Sequence, residues 1–354
     1  MDQLTLLDFD NLAEEIKTLT QNILANRWQI AEKLFYIKDN WDDYKKQDDF
    51  PYKTFQQFIK HYYNWTRKES DYYIDAHKLK LLLEDKRKPV SLIDNMGISI
   101  ADKIYQLSEI DECKAMEVVE ENPHITRKQV EETIKETKRE IKSKEGEKIK
   151  IEKTDIDFRL GDFSKVLDDI PDGSVDLILT DPPYAKDYLY LWIELSELAK
   201  RILKPNGFCI CYSGKLYLNE VMQILDKNLN YYWCFCLTLS GANQIVHARN
   251  VLTEWKPILI YQNGFKKTET TFKDIICGSG RSKSNHEWEQ SEDELESIIR
   301  NFSNEGGSIL DPMAGSGTTL IASKKFNRKA IGVEINRKTY NIAKKRIKDE
   351  LGKL

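Results

Sequence analysis

Asp181-Pro182-Pro183-Tyr184 sets a carboxylate, two imino acids and a phenol in consecutive positions. They follow an apolar run, Val175-Asp176-Leu177-Ile178-Leu179-Thr180, that reads as a buried strand. Two prolines fix the backbone and remove two N–H donors. What remains at that strand end is acceptors: the Asp181 carboxylate and the Pro182 carbonyl. Such a pair suits an exocyclic NH2 group, held by both of its hydrogens. The grip draws the nitrogen toward sp3 character and frees its lone pair for attack. Tyr184 adds a flat face on which a base turned out of its helix can stack. The plainer alternative is a strand that ends in a proline turn, with Asp181 only capping it.

A second constellation lies at Ser308-Ile309-Leu310-Asp311-Pro312-Met313-Ala314-Gly315-Ser316-Gly317-Thr318-Thr319. A short strand enters a Gly-containing turn that opens a helix. Gly315 and Gly317 allow the backbone to approach a ligand, and the turn exposes N–H groups at a helix start. A further strand, Ala330-Ile331-Gly332-Val333, ends on Glu334, with Asn336 just beyond. An acid there can accept from both hydroxyls of a ribose. Candidate cofactor residues are Asp311, Pro312, Met313, Gly315, Ser316, Gly317, Thr318, Glu334 and Asn336. The alternative is a structural strand-turn-helix with a surface Glu334.

The elements that must position these groups divide the chain. Residues 1–150 read as successive helices, with apolar positions spaced by three and four in Leu12, Ile16, Leu19, Ile23 and in Ile30, Leu34, Ile37. Two segments look like helix-turn-helix units. Thr66 caps the second helix of one and Thr126 that of the other, which puts Arg67, Lys68, Arg127 and Lys128 at helix starts. Lys135 to Lys153 is dense in mixed charge, a solvated helix end running into a linker. From 151 to 354 short strands alternate with helices. Strand-like runs are Val175–Leu179, Phe208–Cys211, Tyr232–Leu237, Pro257–Tyr261, Ser308–Leu310 and Ala330–Val333. The fold class is therefore α/β, a doubly wound sheet with ligands at the carboxyl ends of its strands, preceded by an all-helical N-terminal domain.

With 354 residues, 40% of them hydrophobic, the chain can build two domains. A net charge of −4 carries no global basic field, and residues 1–150 hold 26 Lys and Arg against 30 Asp and Glu. A local basic stripe is enough for nucleic acid. No apolar run is long enough to span a membrane, and the N-terminus lacks a signal-peptide pattern, which predicts a cytoplasmic protein. Cys209 and Cys211 alternate in one strand-like run, as do Cys234 and Cys236, without metal or redox spacing, so no metal site is expected.

Taken together, residues 155 to 350 resemble the DNA amino-methyltransferases of the permuted, β-type order, in which D-P-P-Y precedes the Gly-rich motif. The resemblance implies a Rossmann-like methyltransferase sheet, S-adenosyl-L-methionine as cofactor and Asp181, Pro182, Pro183 and Tyr184 as catalytic residues. It matches Gly161-Asp162 to the family's acid-bearing segment, which makes Asp162 the candidate for the cofactor adenine. It matches Glu254-Trp255-Lys256-Pro257 to a segment supporting the target pocket, and His286-Glu287-Trp288-Glu289 to the helix start that holds the methionine end of the cofactor. Met313 stands where the family usually has Phe, and Gln290-Ser291 where Lys-Pro is usual.

The expected substrate is double-stranded DNA and the expected product N6-methyladenine. Cytosine N4 is the alternative, followed by a DNA-binding regulator with a vestigial methyltransferase fold. A protein or RNA amino-methyltransferase fits less well, because Asn usually precedes the prolines there and the cofactor motif comes first. No cysteine sits in the motif that a cytosine C5 enzyme needs. The gap from Tyr261 to His286 is too short for an independent recognition domain. Readers of sequence are then Asn243, Gln244 and Arg249 in one loop, Arg281 in another, and the four helix-start cations. A homodimer, a cognate restriction endonuclease and association with the nucleoid are compatible with this reading.

Overall fold

The computed structural model describes residues 6–19, 23–47, 49–151, 156–238, 244–268, 271–277 and 292–352. The chain divides into two compact units, Met1–Arg139 and Glu140–Leu354. That division falls inside a helix, roughly three turns before the boundary near residue 150 that the sequence suggests.

The first unit holds α1 (Leu6–Leu19), α2 (Ile23–Asp39), α3 (Trp41–Tyr44), α4 (Phe55–Tyr63), α5 (Arg67–Asp85), α6 (Ile98–Ser108), α7 (Glu112–Glu121) and the start of α8 (Arg127–Glu147). Thr54 and Thr66 cap α4 and α5, each in a reciprocal capping box, with Gln57 and Glu69 as partners. Asn64 ends α4 in the left-handed conformation, so the turn at Asn64-Trp65 is local chemistry. An aromatic core of Phe9, Trp41, Tyr44 and Phe58 packs the first half of this unit, and an aliphatic one around Leu79, Leu83, Ile104 and Leu107 packs the second.

The second unit is built on one eight-stranded sheet. Its strands are β1 (Ile156–Leu160), β2 (Val175–Thr180), β3 (Leu203–Tyr212), β4 (Asn230–Thr238), β7 (Trp255–Gln262), β8 (Ile275–Cys277), β9 (Ser308–Asp311) and β10 (Lys329–Glu334). The spatial order is β1-β10-β9-β2-β3-β7-β4-β8, and β7 alone runs against the others. β5 (Gln244–Val246) and β6 (Val251–Thr253) form a separate hairpin between β4 and β7. Helices α9 (Phe163–Val166), α10 (Leu189–Ile202), α11 (Leu218–Leu225), α12 (Glu292–Phe302), α13 (Thr318–Lys325) and α14 (Arg337–Leu351) complete the unit.

Period-two alternation decides what each strand buries. Cys209, Cys211, Leu259 and Tyr261 face a layer shared with Trp192, Leu195 and Ile202 of α10. Ile210, Tyr212, Ile258 and Ile260 face the opposite layer, with Leu295, Ile298 and Ile299 of α12. The strand cysteines are thus free thiols in packed strands, with both β3 thiols fully buried. Among the described residues no helix is long and apolar enough to cross a membrane, and no group of acids, histidines and cysteines could hold a metal.

Chain order supplies the site. From β2 the chain moves outward to β3, whereas from β9 it moves the other way to β10. The crevice between β9 and β2 is therefore the switch point at which an open α/β sheet takes its ligand.

Candidate active site

Four adjacent strands, β1, β10, β9 and β2, carry Asp162, Glu334, Asp311 and Asp181 at or just past their carboxyl ends. Leu160 pairs with Glu334, Gly332 with Asp311 and Ile178 with Leu310, so the four acids cluster at one rim of the sheet. At a strand spacing of about 4.8 Å the row spans roughly 14 Å.

Asp311 ends β9 almost wholly buried, at 4% exposure. Burial raises its pKa from the ordinary carboxylate value to about 6. The Thr319 and Thr180 hydroxyls and the Met313 N–H work against that rise, and the nearby charge of Asp181 adds to it. Beyond Asp311 the chain turns through Gly315 at φ +51 and Gly317 at φ +80 into α13. A Cβ on Gly315 would meet nothing within 4 Å, so the turn borders open space. The N–H of Ala314 donates to the Val333 carbonyl at 2.8 Å, which ties the turn to β10. Arg346 of α14 donates to the Ser316 and Thr318 hydroxyls at 2.9 and 2.8 Å and so holds both against its guanidinium. Met313 packs half-buried against the α10 side of the sheet.

Glu334 is raised in pKa by burial, opposed by the N–H groups of Asn336, Gly315 and Ile335. Its Oε1 accepts from the Asn336 N–H at 2.7 Å, and Asn336 in turn caps α14. Gly161 donates to the Glu334 carbonyl at 3.0 Å, which docks β1 beside β10. Asp162 caps α9, accepting from the Ser164 N–H and hydroxyl at 3.1 and 2.9 Å. Burial there is outweighed by these bonds and by Lys165, so the carboxyl stays below its usual pKa.

At β2 the Asp181 carboxylate accepts from the Tyr184 hydroxyl and from Lys256 Nζ, the latter at 3.2 and 2.9 Å to its two oxygens. Lys256 lies over two rings, 4.8 Å from the centroid of Tyr184 and 4.7 Å from that of Tyr212. Tyr212 closes β3 and donates to the buried Glu294 of α12. Burial raises the Glu294 pKa, which the Tyr212 hydrogen bond and the Lys256 charge oppose. Pro182 is buried and Pro183 exposed. Tyr184 is seated on Gly214, where an added Cβ would lie 2.8 Å from Tyr184 Cβ and 3.0 Å from Cγ. Gly214→Ala therefore shifts the ring. We expect a fall of about tenfold in kcat/KM with cofactor affinity unchanged, checked by steady-state kinetics beside a cofactor titration.

The hairpin β5–β6 leaves the sheet from this same rim. The sequence reads this stretch as a loop, because strands of three residues are too short to show alternation. Arg249 and Asn250 sit at its exposed turn, and Ile245 and Leu252 face each other, each about half exposed at 53%. Asn243, the Gln244 side chain, Arg281 and residues 286–291 lie outside the described residues.

Three of the four helix-start cations of the first unit have side-chain partners. Arg67 pairs with Asp71 at 3.5 Å, and Arg127 pairs with Glu131 at 3.0 Å while it stacks 5.0 Å from the Tyr72 centroid. Lys68 approaches the same ring at 5.9 Å, so the two helix starts meet at Tyr72. Arg67 and Lys68 border a groove that also contains Asp71, Asp75 and Asp102, so its charge is mixed. Lys128 is exposed.

The sequence names Lys256 only as part of Glu254-Trp255-Lys256-Pro257, the segment matched to the target pocket, and does not single out Tyr212, Gly214 or Glu294. The sign that they belong to the site is that β3 lies beside β2 and β7 beside β3, with the end of β3 and the start of β7 at the rim where β2 ends.

Residues 175–345 match the family model described as DNA methylase. The match covers most of this unit and just under half of the whole chain. The type II methyltransferase M.HpaI of Haemophilus parainfluenzae is 28% identical over 226 residues, 52% of this chain and 72% of that protein. The type II methyltransferase M.BglII of Bacillus subtilis is 28% identical over 239 residues, 52% of this chain and 66% of that protein. A putative DNA modification methylase from Thermus thermophilus, solved with S-adenosyl-L-methionine, superposes with TM-score 0.47 at 22% identity over 56% of this chain and 95% of that one. The methylase match begins at β2, so β1 and the whole first unit lie outside it.

Proposed function

We propose that this protein methylates the N6 amino group of adenine in double-stranded DNA, using S-adenosyl-L-methionine. The observation that carries the reading is the row of acids on four adjacent strands, which ends at Asp181. Asp162 and Glu334 would hold the adenine and ribose of the cofactor. Asp311, with Pro312, Met313 and the turn through Gly315, Ser316, Gly317 and Thr318, would hold its methionine end. The open space at Gly315, the buried Asp311 and the half-buried Asp162 and Glu334 suit a cationic, hydroxyl-bearing ligand. Bound there, the cofactor supplies an electrophilic methyl group on a cationic sulfur.

The rest of the chemistry belongs to the chain. Asp181 and the Pro182 carbonyl accept the two amino hydrogens and turn the nitrogen lone pair toward the crevice. Tyr184 supports the flipped base. Asp181 is the nearest acceptor for the proton that the nitrogen sheds. Arg249 at the hairpin turn and Lys128 are candidate DNA contacts, with Asn243 and Gln244 shortly before Arg249 in the chain and Arg281 after β8 as further candidates. Arg67, Lys68 and Arg127 would reach DNA only by leaving their present partners.

Cytosine N4 is the competing target, because it presents the same amino group. Modification-sensitive sequencing of DNA from cells that express the protein decides the base and maps the site together. N6-methyladenine at one motif is the expected result, and exclusive N4-methylcytosine overturns the adenine assignment.

A further inference from the structure

Lys256 makes the contacts that a target amino group needs. Its Nζ is an N–H donor held by both oxygens of Asp181, at 3.2 and 2.9 Å, and laid on the Tyr184 ring at 4.8 Å. The Asp181 carboxylate offers about four lone-pair directions. The Tyr184 hydroxyl takes one, and Lys256 spans both oxygens, so little is left for two amino hydrogens.

Charge leads to the same place. Methyl transfer moves a positive charge from sulfur to the amino nitrogen. A fixed ammonium on the same carboxylate opposes that charge as it develops, and inside a protein the opposition is strong. Without a base, the surroundings favour a cation: Asp181 on β2, Asp311 on β9 and Glu294 on α12 all interact there. Tyr212 and Tyr184 add two ring faces. Lys256 is partly exposed, at 21% of its side chain, and its flexible stem leaves it a route to solvent.

We propose that Lys256 is a displaceable plug. Its ammonium holds the place of the target amino group while the site is empty and withdraws when the base enters. The proposal rests on the methyltransferase reading above. Every base that enters must then break a partly exposed ion pair, whose removal is worth about fivefold in kcat/KM for DNA.

The test uses the full-length protein and a duplex carrying the target mapped by sequencing, with the target adenine kept and 2-aminopurine placed as its 3′ neighbour, where fluorescence reports loss of stacking when the target leaves the helix. Lys256→Met keeps length and loses the charge. It should raise both the 2-aminopurine signal at saturation and kcat/KM on the natural duplex about fivefold. Lys256→Arg, which can grip Asp181 through two N–H groups, should lower both. A Lys256→Met variant that is unchanged or slower overturns the plug, and recovery in Lys256→Arg would make Lys256 a positioning residue instead. If melting shows that Lys256→Met does not fold, Lys256→Arg decides alone, and parity or a gain overturns the proposal. Wild-type protein that methylates no duplex removes the reading and the plug together. Wild-type activity with a slower Lys256→Met removes the plug only.

Discussion

Asp181→Ala should lower the rate of methyl transfer at least about a thousandfold while cofactor affinity and melting temperature stay near their wild-type values. The two halves of this expectation have separate causes. Asp181 is 38% exposed and its ion pair with Lys256 is reachable by water. Such pairs contribute about 0–1 kcal/mol, so the fold loses little. The transition state loses more. The carboxylate accepts from a nitrogen that becomes positive, and a charge-assisted acceptor of this kind is worth about a hundredfold to a thousandfold. Loss of orientation multiplies that factor, because the lone pair no longer points along the attack line. Asp181→Asn retains one acceptor but turns an NH2 toward the substrate, so it should stop short of the Ala variant, at about a hundredfold. The cofactor residues Asp311 and Glu334 are untouched in both. Single-turnover transfer from a methyl-labelled cofactor, beside calorimetric titration of the cofactor, checks the split. An Ala variant that keeps a tenth of the wild-type rate would exclude Asp181 from the chemistry.

The two motifs are legible in the sequence because each is a local event. D-P-P-Y and the Gly315–Gly317 turn each interrupt an apolar strand with residues that only a sharp turn or a ligand contact explains. The caps at Thr54, Thr66 and Asn64 are local for the same reason, and α4 begins and ends, and α5 begins, where those residues place them. Lys256 is different. It stands 75 positions from Asp181, and they meet because β7 runs antiparallel beside β3 and enters the sheet at the rim where β2 leaves it. Nothing in the spacing of residues 181 and 256 records that topology. Arg67 and Arg127 show the converse. Their positions at helix starts are legible and suit phosphate contact, yet in the fold Arg127 lies over Tyr72 beside Glu131 and Arg67 pairs with Asp71. β1, β5, β6 and β8 escape notice because five residues or fewer, beside charged or polar neighbours, carry too little alternation.

Asp311→Asn should make the cofactor-free protein more stable at pH 7.5 and at the same time destroy cofactor binding. Asp311 is buried, and its pKa stands at about 6 against 3.8 for a free aspartate. A raised folded-state pKa means that the fold prefers the protonated acid. That stabilising preference is complete below about pH 4 and is lost as the pH rises through about 6. Above that the buried charge costs the fold about 3 kcal/mol, roughly two pKa units at about 1.36 kcal/mol each. Asparagine never ionises, so it escapes the cost. Its oxygen still accepts from the Met313 N–H, which in Asp311 lies at 3.2 Å, and its NH2 can donate to the Thr319 or Thr180 hydroxyl. The gain should appear as several degrees in melting temperature at pH 7.5, and it should vanish toward pH 4. The native protein carries the penalty because the ionised carboxylate is what a cationic cofactor meets. Binding of that cation favours the charged acid, so wild-type affinity should weaken as the pH falls through about 6. The variant should bind at least about tenfold more weakly at pH 7.5, with no such pH dependence. Thermal melts from pH 4 to 8, paired with cofactor titrations, read both consequences. A variant less stable than wild type at pH 7.5, or one with undiminished affinity, would show that Asp311 is structural and that the cation is held elsewhere along the rim.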